Sequence, residues 1–353
     1  MTPPVVVTAE ELVRLAAELL VCAGSSHEDA EIVAANLVWA DLRGRHPQGV
    51  FRLSVLAEML RHGVITSPAT MIWSGQAPAI YHLDAGNGFG QVAGERAMRK
   101  AIEIARVMGL GMVAVNHSNH YGAAGYYSAM AAGAGCAGFT CTNATPKVAP
   151  HGGTKPVFGT NPFSFSCPTS SGKPVIVDFS TSSVAGSTIR ALKATGGRLP
   201  EGLAVDAHGA PTTDPSAADA GTLLPAAGPK GSGLAMMVEI LSAILSGSGL
   251  SYEIGPLYAD WQRRENCGHL FLAIDIGQTQ PMQRYYERMD GLIGQVKDSS
   301  DVHPSPVRYP GELRGERREQ YDREGIPLPA ESSRLLEKLA GELGREVPWK
   351  QNA

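Results

Sequence analysis

The sequence predicts an α/β layer fold with helical terminal segments, and three observations predict it. From Ala79 onward, short apolar strands alternate with amphipathic helices. The residues before that point read as capped helices. Between Ser118 and Ser180, five turns fall where strands or helices end, most of them rich in glycine or asparagine: Ser118–Gly122, Thr142-Asn143, Pro150–Gly153, Gly159–Pro162 and Val177–Ser180. Backbone amides and a histidine gathered at successive element ends suit a pocket of loops on a rigid scaffold, for a polar cofactor.

Each element has a local reason. Thr8 and Glu11 form a capping box ahead of Leu12, Leu15, Ala16 and Leu19, which share one helical face. Gly24 ends that helix. Ser26 with Asp29 opens a second, which carries Ile32, Val33, Ala35, Leu37 and Val38 towards Asp41, and a third spans Leu53 to His62. Pro68 and Gly75–Pro78 mark a boundary. Strands are then expected at 79–85, 111–115, 137–142, 162–167, 175–178 and 270–276. Helices are expected at 91–107, 123–132, 184–194, 231–245 and 332–343. The Gly/Ala/Pro-rich stretch from Gly196 to Pro229 reads as a surface excursion. The organisation is therefore a helical segment at 1–75, a central α/β domain at 76–276 and a C-terminal segment at 277–353.

Composition excludes several classes. The chain has 353 residues, 43% of them hydrophobic, enough to bury a large core. A net charge of −4 and the lack of a long basic run argue against nucleic acid and anionic membrane as partners. Apolar stretches break before membrane-spanning length, and Met1–Val7 lacks a secretory signature. Five cysteines without a CxxC pair read as reduced thiols of a cytoplasmic protein.

Gly86-Asn87-Gly88-Phe89-Gly90 follows a strand and precedes a helix, yet its spacing is not that of a dinucleotide-binding fingerprint. No acidic residue ends a second strand about 20 positions later. A tight turn needing positive φ is the better reading.

The five turns, together with Asp41-Leu42-Arg43-Gly44 and Gly228-Pro229-Lys230-Gly231-Ser232-Gly233, resemble the type 2 malate/L-lactate dehydrogenase family. The likeness runs from about Ala9 to Gly311, in order. It implies a non-Rossmann central domain with a mixed sheet that binds NAD or NADP. It also implies N- and C-terminal segments that pack together and a homodimer with the active site at its interface. By position, Asp178, Phe179 and Ser180 match the family's nucleotide-binding segment, and a strand end with free amides and hydroxyls suits ribose and phosphate oxygens. Lys230 matches a cofactor-contacting lysine at a helix start. Pro310-Gly311-Glu312 matches a late cofactor-contacting turn. Asn143 and Thr160 lie in matching turns with less defined roles, in cofactor binding and substrate binding respectively. Ala144 stands where the family commonly has a serine contacting the cofactor.

The implied reaction moves a hydride between the nicotinamide and a small 2-oxo acid or cyclic 2-imino acid, and the product needs a proton. A histidine titrates in the useful range. His120 matches the acid/base assigned in the ureidoglycolate dehydrogenase branch; the alternative is a cap for the helix near Ala123. The family's Ser-His-Gly-Val motif reads Pro47-Gln48-Gly49-Val50 here, and Gln48 cannot exchange a proton at neutral pH. Four readings follow. His120 acts alone while Gln48 orients the substrate, or neighbouring His46 takes over. Alternatively the substrate is an imine arriving as its iminium, or the chain keeps only a nucleotide-binding scaffold. Arg52 is the candidate for the substrate carboxylate, against a surface ion pair. The Arg-rich run 314–323 either faces a 2′-phosphate or forms a solvated helix face. His117, His120 and His151 are too irregularly spaced for a metal site, so none is expected.

Overall fold

The computed structural model describes residues 5–257, 260–300 and 306–350. A short strand, β1 (Val5–Val7), precedes α1 (Ala9–Cys22) and α2 (His27–Asp41). Both helices start as expected. Thr8 Oγ1 accepts from Glu11 N while the Glu11 carboxylate accepts from Thr8 N, and Ser26 Oγ accepts from Asp29 N. Two 3₁₀ turns, His46–Gln48 and Val50–Arg52, lead into α3 (Leu53–Arg61). A hairpin of β2 (Ile72–Ala77) and β3 (Ile80–Asp84) follows, then α4 (Gly90–Met108), β4 (Leu110–Ser118), α5 (Ala124–Gly133), β5 (Cys136–Thr142), β6 (Phe163–Cys167) and β7 (Val175–Phe179).

Beyond the sheet edge come α6 (Gly186–Thr195), β8 (Ala204–Val205), α7 (Pro215–Ala220) and β9 (Thr222–Leu223). Next, α8 (Pro229–Glu239) runs into a π-helical turn at Ile240–Ile244, and β10 (Cys267–Asp275) returns to the sheet. The chain closes with α9 (Met282–Lys297), α10 (Glu312–Glu324), β11 (Ile326–Leu328) and α11 (Ala330–Glu342).

The central sheet is mixed, with strand order β2-β3-β4-β10-β5-β6-β7. Only β3 and β4 pair in parallel, and every other neighbour is antiparallel. A Rossmann sheet is built from parallel crossovers, so this order excludes one. Leu83, Val113, Val115 and Phe271 pack one face against Met98 of α4 and Tyr127 of α5. On the other face, Ala114, Cys141 and Leu270 meet Val238 of α8. A second core joins the termini: Leu12, Leu19, Leu37 and Leu53 pack with Leu336, Leu339, Ile326 and Leu328. Each such buried side chain contributes about 1.5–3 kcal/mol, which holds the N- and C-terminal segments together.

Three expectations change. The boundary placed at residue 75 falls inside β2, an edge strand that leaves Ile72 and Trp73 exposed. The stretch 196–229, read as a surface excursion, carries packing of its own. Leu199, Ala204, Ala218 and Leu223 bury themselves with Ile189 and Val148 in a small core of their own. The pairing of β1 with β11, and helix α9, had no counterpart in the sequence reading. The Gly86–Gly90 turn is as expected, with Gly86 at φ +57° and Asn87 at +58°. Gly90 abuts the Asn119 carbonyl, where no Cβ fits, so α4 begins directly against the loop that carries His120.

Candidate active site

The β4–α5 loop is clamped on two sides. Asn119 Nδ2 donates to the Gly88 carbonyl at 2.8 Å, and Gly122, at φ +80°, abuts the Asn36 side-chain oxygen of α2. Within it, His120 N donates to Glu265 Oε2 at 2.7 Å, and Gly122 N donates to His120 Nδ1 at 3.2 Å. His120 therefore closes the turn before α5 and does not cap the helix itself, whose N-cap residue is Ala123. An Nδ1 that accepts a hydrogen bond assigns the neutral ring's proton to Nε2. Burial, then the Arg52 cation, then His269 hold His120 down at about 3, so the ring is neutral at pH 7.

Glu265 was not anticipated. It is almost fully buried, and burial pushes its carboxyl up to about 7 against the His120 N–H bond and Arg52. His269, also held at about 3 by burial, is structural. Its ring nitrogens meet Thr142 Oγ1 at 2.7 Å and Ser118 Oγ at 2.8 Å, and the ring stacks on Tyr121.

The segment from Asp41 to Arg52 is folded around one buried carboxylate. Asp41 takes His46 Nδ1 at 2.8 Å and Val50 N at 2.7 Å, and it leaves no room for a Cβ at Gly49. Burial raises the Asp41 pKa, with those two bonds opposing. His46 is thus pinned to Asp41. Gln48 follows in the same turn, and its buried Oε1 has no hydrogen-bond partner among the described residues. Arg52 Nε donates to the Pro47 carbonyl at 2.9 Å, which fixes the direction of the guanidinium.

A cavity of about 330 Å³ opens beside the end of β7, lined by Asp178, Phe179, Pro310 and Gly311 together with Trp39, Arg43, Arg45 and Arg314. Asp178 is ion-paired with Arg45 and accepts from Gly125 N at 3.2 Å, at the start of α5. Ile176 N donates to the Pro310 carbonyl at 2.9 Å, and Gly311, at φ +93°, has Ile176 N only 2.9 Å from where a Cβ would sit. Glycine is required there by both space and backbone. Burial and Arg318 lower Arg43 to about 9, and burial and Arg314 lower Arg45 to about 10, so both stay cationic at neutral pH. Three guanidiniums against one carboxylate suit the phosphates of a nucleotide. The volume lies near the lower end of ligand pockets, about 300–1,000 Å³, and fits one half of a dinucleotide.

The other expected residues do not line this cavity. Thr181 N donates to the Thr160 carbonyl and Ala226 N to the Thr181 carbonyl, each at 2.9 Å. These bonds bring Thr160, the Phe179-Ser180 turn and the approach to α8 together. Ser180 Oγ is bonded by Ser182 Oγ at 3.0 Å. Lys230 is exposed in the first turn of α8. Asn143 is buried with its amide committed to the fold: Nδ2 donates to Gly249 O at 2.8 Å and Oδ1 accepts from Gly268 N at 2.9 Å. Glu312 opens α10 and pairs with Lys297. His117 pairs with Asp84 and His151 borders Gly228, so the three histidines are separate. A second cavity, about 690 Å³, is a groove along α1 between Glu10 and Arg345 and contains none of the expected site residues.

Two short segments join the clusters. Residues 45–52 run from the Asp178 ion pair to the Arg52 charge, and residues 120–125 run from the Glu265 bond to the Asp178 bond. Arg52, His120 and Glu265 are therefore joined through two short backbone segments to the Asp178 cavity.

The family model for malate/L-lactate dehydrogenase matches residues 7–337. The chain belongs to that family. It is 39% identical to a malate dehydrogenase of Pyrococcus abyssi, covering 84% of this chain and 82% of that protein. It is 33% identical to a Δ1-pyrroline-2-carboxylate/Δ1-piperideine-2-carboxylate reductase of Pseudomonas putida, covering 90% and 92%. The solved sulfolactate dehydrogenase of Methanocaldococcus jannaschii superimposes with a TM-score of 0.90 at 32% identity, over 97% and 98% of the two chains. The molecule is thus an oxidoreductase of the malate/L-lactate dehydrogenase family, with a nicotinamide cofactor. Its non-Rossmann mixed sheet is the family's fold. No helix among the described residues is long and apolar enough to cross a membrane.

Proposed function

We propose that the chain reduces a small 2-oxo acid to its 2-hydroxy acid, with the carboxylate on Arg52 and the proton delivered through His120. The observation that carries this reading is the pair of bridging segments, 45–52 and 120–125, which tie Arg52 and His120 to the Asp178 pocket. A bound reduced nicotinamide supplies the hydride. Arg52, steered by Pro47, holds the substrate carboxylate as a charge-assisted pair. That anion offsets the Arg52 cation, which otherwise helps to keep His120 neutral, so the imidazole gains proton affinity when substrate is present. His120 Nε2–H then hydrogen-bonds the substrate oxygen and stabilises the developing alkoxide, which takes its proton through this bond as the ring nitrogen is reprotonated from solvent. Asp178, Phe179, Ser180, Pro310 and Gly311 hold the nucleotide, with Lys230, Asn143, Thr160 and Glu312 shaping the surrounding loops.

A second reading takes a cyclic 2-imino acid as substrate. The orphaned Oε1 of Gln48 supports it, because that acceptor suits the N–H of an iminium, whose nitrogen already carries its proton, so hydride addition alone gives the neutral amine. Absorbance of NADH and NADPH, followed side by side with a panel of 2-oxo acids and cyclic imines, decides between the two. Cofactor binding without turnover of any substrate would leave a nucleotide-binding module instead. Gln48→His is the companion test: a large gain in 2-oxo acid reduction means the missing imidazole limits the present chain.

A homodimer fits the exposed apolar face of α8 and its π-helical turn, where Met236, Ile240, Ile244 and Leu245 are uncovered. Sedimentation of the wild-type chain and of Ile244→Glu tests it: a dimer that dissociates on substitution supports the assembly, and a wild-type monomer removes it. Five cysteines, all free, support a reducing cytoplasmic setting.

A further inference from the structure

The cavity at the end of β7 carries a charge imbalance that hydride transfer does not use. The charged side chains in its lining are Arg43, Arg45, Arg314 and Asp178, so three guanidiniums face one carboxylate. That carboxylate is already engaged: Asp178 Oδ2 is paired with Arg45 and accepts from Gly125 N at 3.2 Å. Among the described residues, the hydrogen bonds of the other two guanidiniums go to main-chain carbonyls. Arg43 Nη1 donates to Trp39 O at 3.2 Å, and Arg314 Nη1 donates to Arg43 O at 3.3 Å, which ties the start of α10 to the turn after α2. The Arg43 guanidinium also sits over the Trp39 ring, 3.9 Å from its centroid, and Trp39 is part of the cavity wall. Nearby charges do not cancel the excess. Arg318 and Asp322 of α10 act on Arg43 with opposite signs and pair with each other at 3.3 Å, while Glu312 pairs with Lys297 and does not line the cavity.

Which half of the dinucleotide enters this cavity follows from the other end of the site. The hydride donor must lie beside Arg52 and His120, and neither lines the cavity. Arg45 stands at the opposite end of residues 45–52 from Arg52, so the cavity receives the part remote from the nicotinamide, the adenosine half. There NAD and NADP differ by one 2′-phosphate. A site for the 2′-hydroxyl sets a carboxylate against it, and a site for the 2′-phosphate sets an arginine. Here the carboxylate is covered by Arg45, and two further guanidiniums remain. We propose that this cavity selects the 2′-phosphorylated dinucleotide, with Arg45 and Arg314 on the 2′-phosphate and Arg43 held beside them on Trp39, so that the chain prefers NADPH to NADH. The inference rests on the reading of Arg52 and His120 as the substrate end. It gives Asp178 a second effect: it anchors Arg45, and once Arg45 is removed it becomes the like charge that repels the 2′-phosphate.

Calorimetric titration of the chain with adenosine 2′,5′-bisphosphate and with 5′-AMP reads the cavity without turnover, and NADPH and NADH are compared by fluorescence titration. The expected result in the wild type is binding at least about tenfold tighter for the 2′-phosphorylated member of each pair, the effect of one charge-assisted contact. Arg45→Met keeps the apolar stem and uncovers Asp178; it is expected to bring both ratios below about threefold. Arg314→Met leaves the Arg45–Asp178 pair in place and is expected to lower both ratios by at least about threefold, so the inference stays testable if Arg45→Met does not fold. Equal affinities in the wild type overturn the inference. A ratio that survives in either folded variant overturns it too, including the case in which NADPH and NADH weaken alike because the arginines hold the pyrophosphate; that outcome leaves the cavity's assignment to the nucleotide standing. A chain that binds neither dinucleotide overturns the underlying reading, and the inference with it.

Discussion

Replacing Arg52 with alanine separates the substrate clamp from the nucleotide pocket. The guanidinium is held by the Pro47 carbonyl at 2.9 Å, at the opposite end of the 45–52 segment from the Arg45–Asp178 ion pair. Its removal should therefore leave the pocket intact. A charge-assisted hydrogen bond to a carboxylate is worth about 1.5–3 kcal/mol, which converts to roughly 10- to 150-fold in KM for a 2-oxo acid. The cofactor KM should change less than about threefold, well under 1 kcal/mol. A second readout is independent of turnover. Arg52 is one of the causes that depress His120, so its loss should raise the His120 pKa, seen by imidazole NMR as titration beginning at higher pH. Steady-state kinetics with substrate and cofactor varied in turn measures the first effect. An unchanged substrate KM, or a cofactor KM that rises as much, would refute the assignment.

Three further outcomes are expected. His120→Ala should lower kcat by about 10²- to 10⁴-fold, the usual range for a lost acid/base, with NADH or NADPH affinity by fluorescence titration unchanged; a variant at full rate removes the imidazole from the chemistry. Gly311→Ala places a Cβ about 2.9 Å from Ile176 N at φ +93°, and should weaken cofactor binding at least tenfold, about 1.4 kcal/mol, while folding persists by circular dichroism; unchanged cofactor affinity would move the nucleotide away from this turn. Glu265→Gln should change the pH dependence of stability. The folded carboxyl holds its proton up to about 7 against an ordinary value of 4.5, so its stabilising contribution is full below 4.5 and lost as pH rises to about 7, about 3 kcal/mol in all. Urea unfolding at intervals across that window should show the variant gaining on the wild type and then levelling off; a constant difference would mean the carboxyl does not titrate there.

Much of the fold was legible because its signals are local. The Thr8–Glu11 and Ser26–Asp29 caps, and the apolar stripe through Leu12, Leu15 and Leu19, specify helices without help from the rest of the chain. The β1–β11 pair was hidden because three residues at Val5–Val7 find their partner only at Ile326–Leu328. β2 was hidden because Trp73-Ser74-Gly75-Gln76 lacks alternation: an edge strand with exposed Ile72 and Trp73 need not have it. The site divides in the same way. Asp178, Pro310 and Gly311 announce themselves as turn residues at strand and helix ends, and the structure gathers them in one pocket. Glu265 gave no signal, since a glutamate among two arginines and an asparagine reads as solvated loop. Only the approach of the β4–α5 loop buries it. Arg45 carried no signal of its own in the sequence, and its ion pair with Asp178 arises only where the turn after α2 comes against the end of β7.

In the proposed function, residues 45–52 and 120–125 hold an acid-binding cluster against a nucleotide pocket. A crystal structure of the chain with dinucleotide and the unreactive carboxylate oxamate tests it most directly. The account predicts the nucleotide against Asp178–Phe179 and Pro310–Gly311, the oxamate carboxylate on Arg52, and His120 Nε2 within hydrogen-bond distance of the oxamate carbonyl oxygen. A dinucleotide lying elsewhere, such as along the α1 groove, or an oxamate held without Arg52, would contradict it.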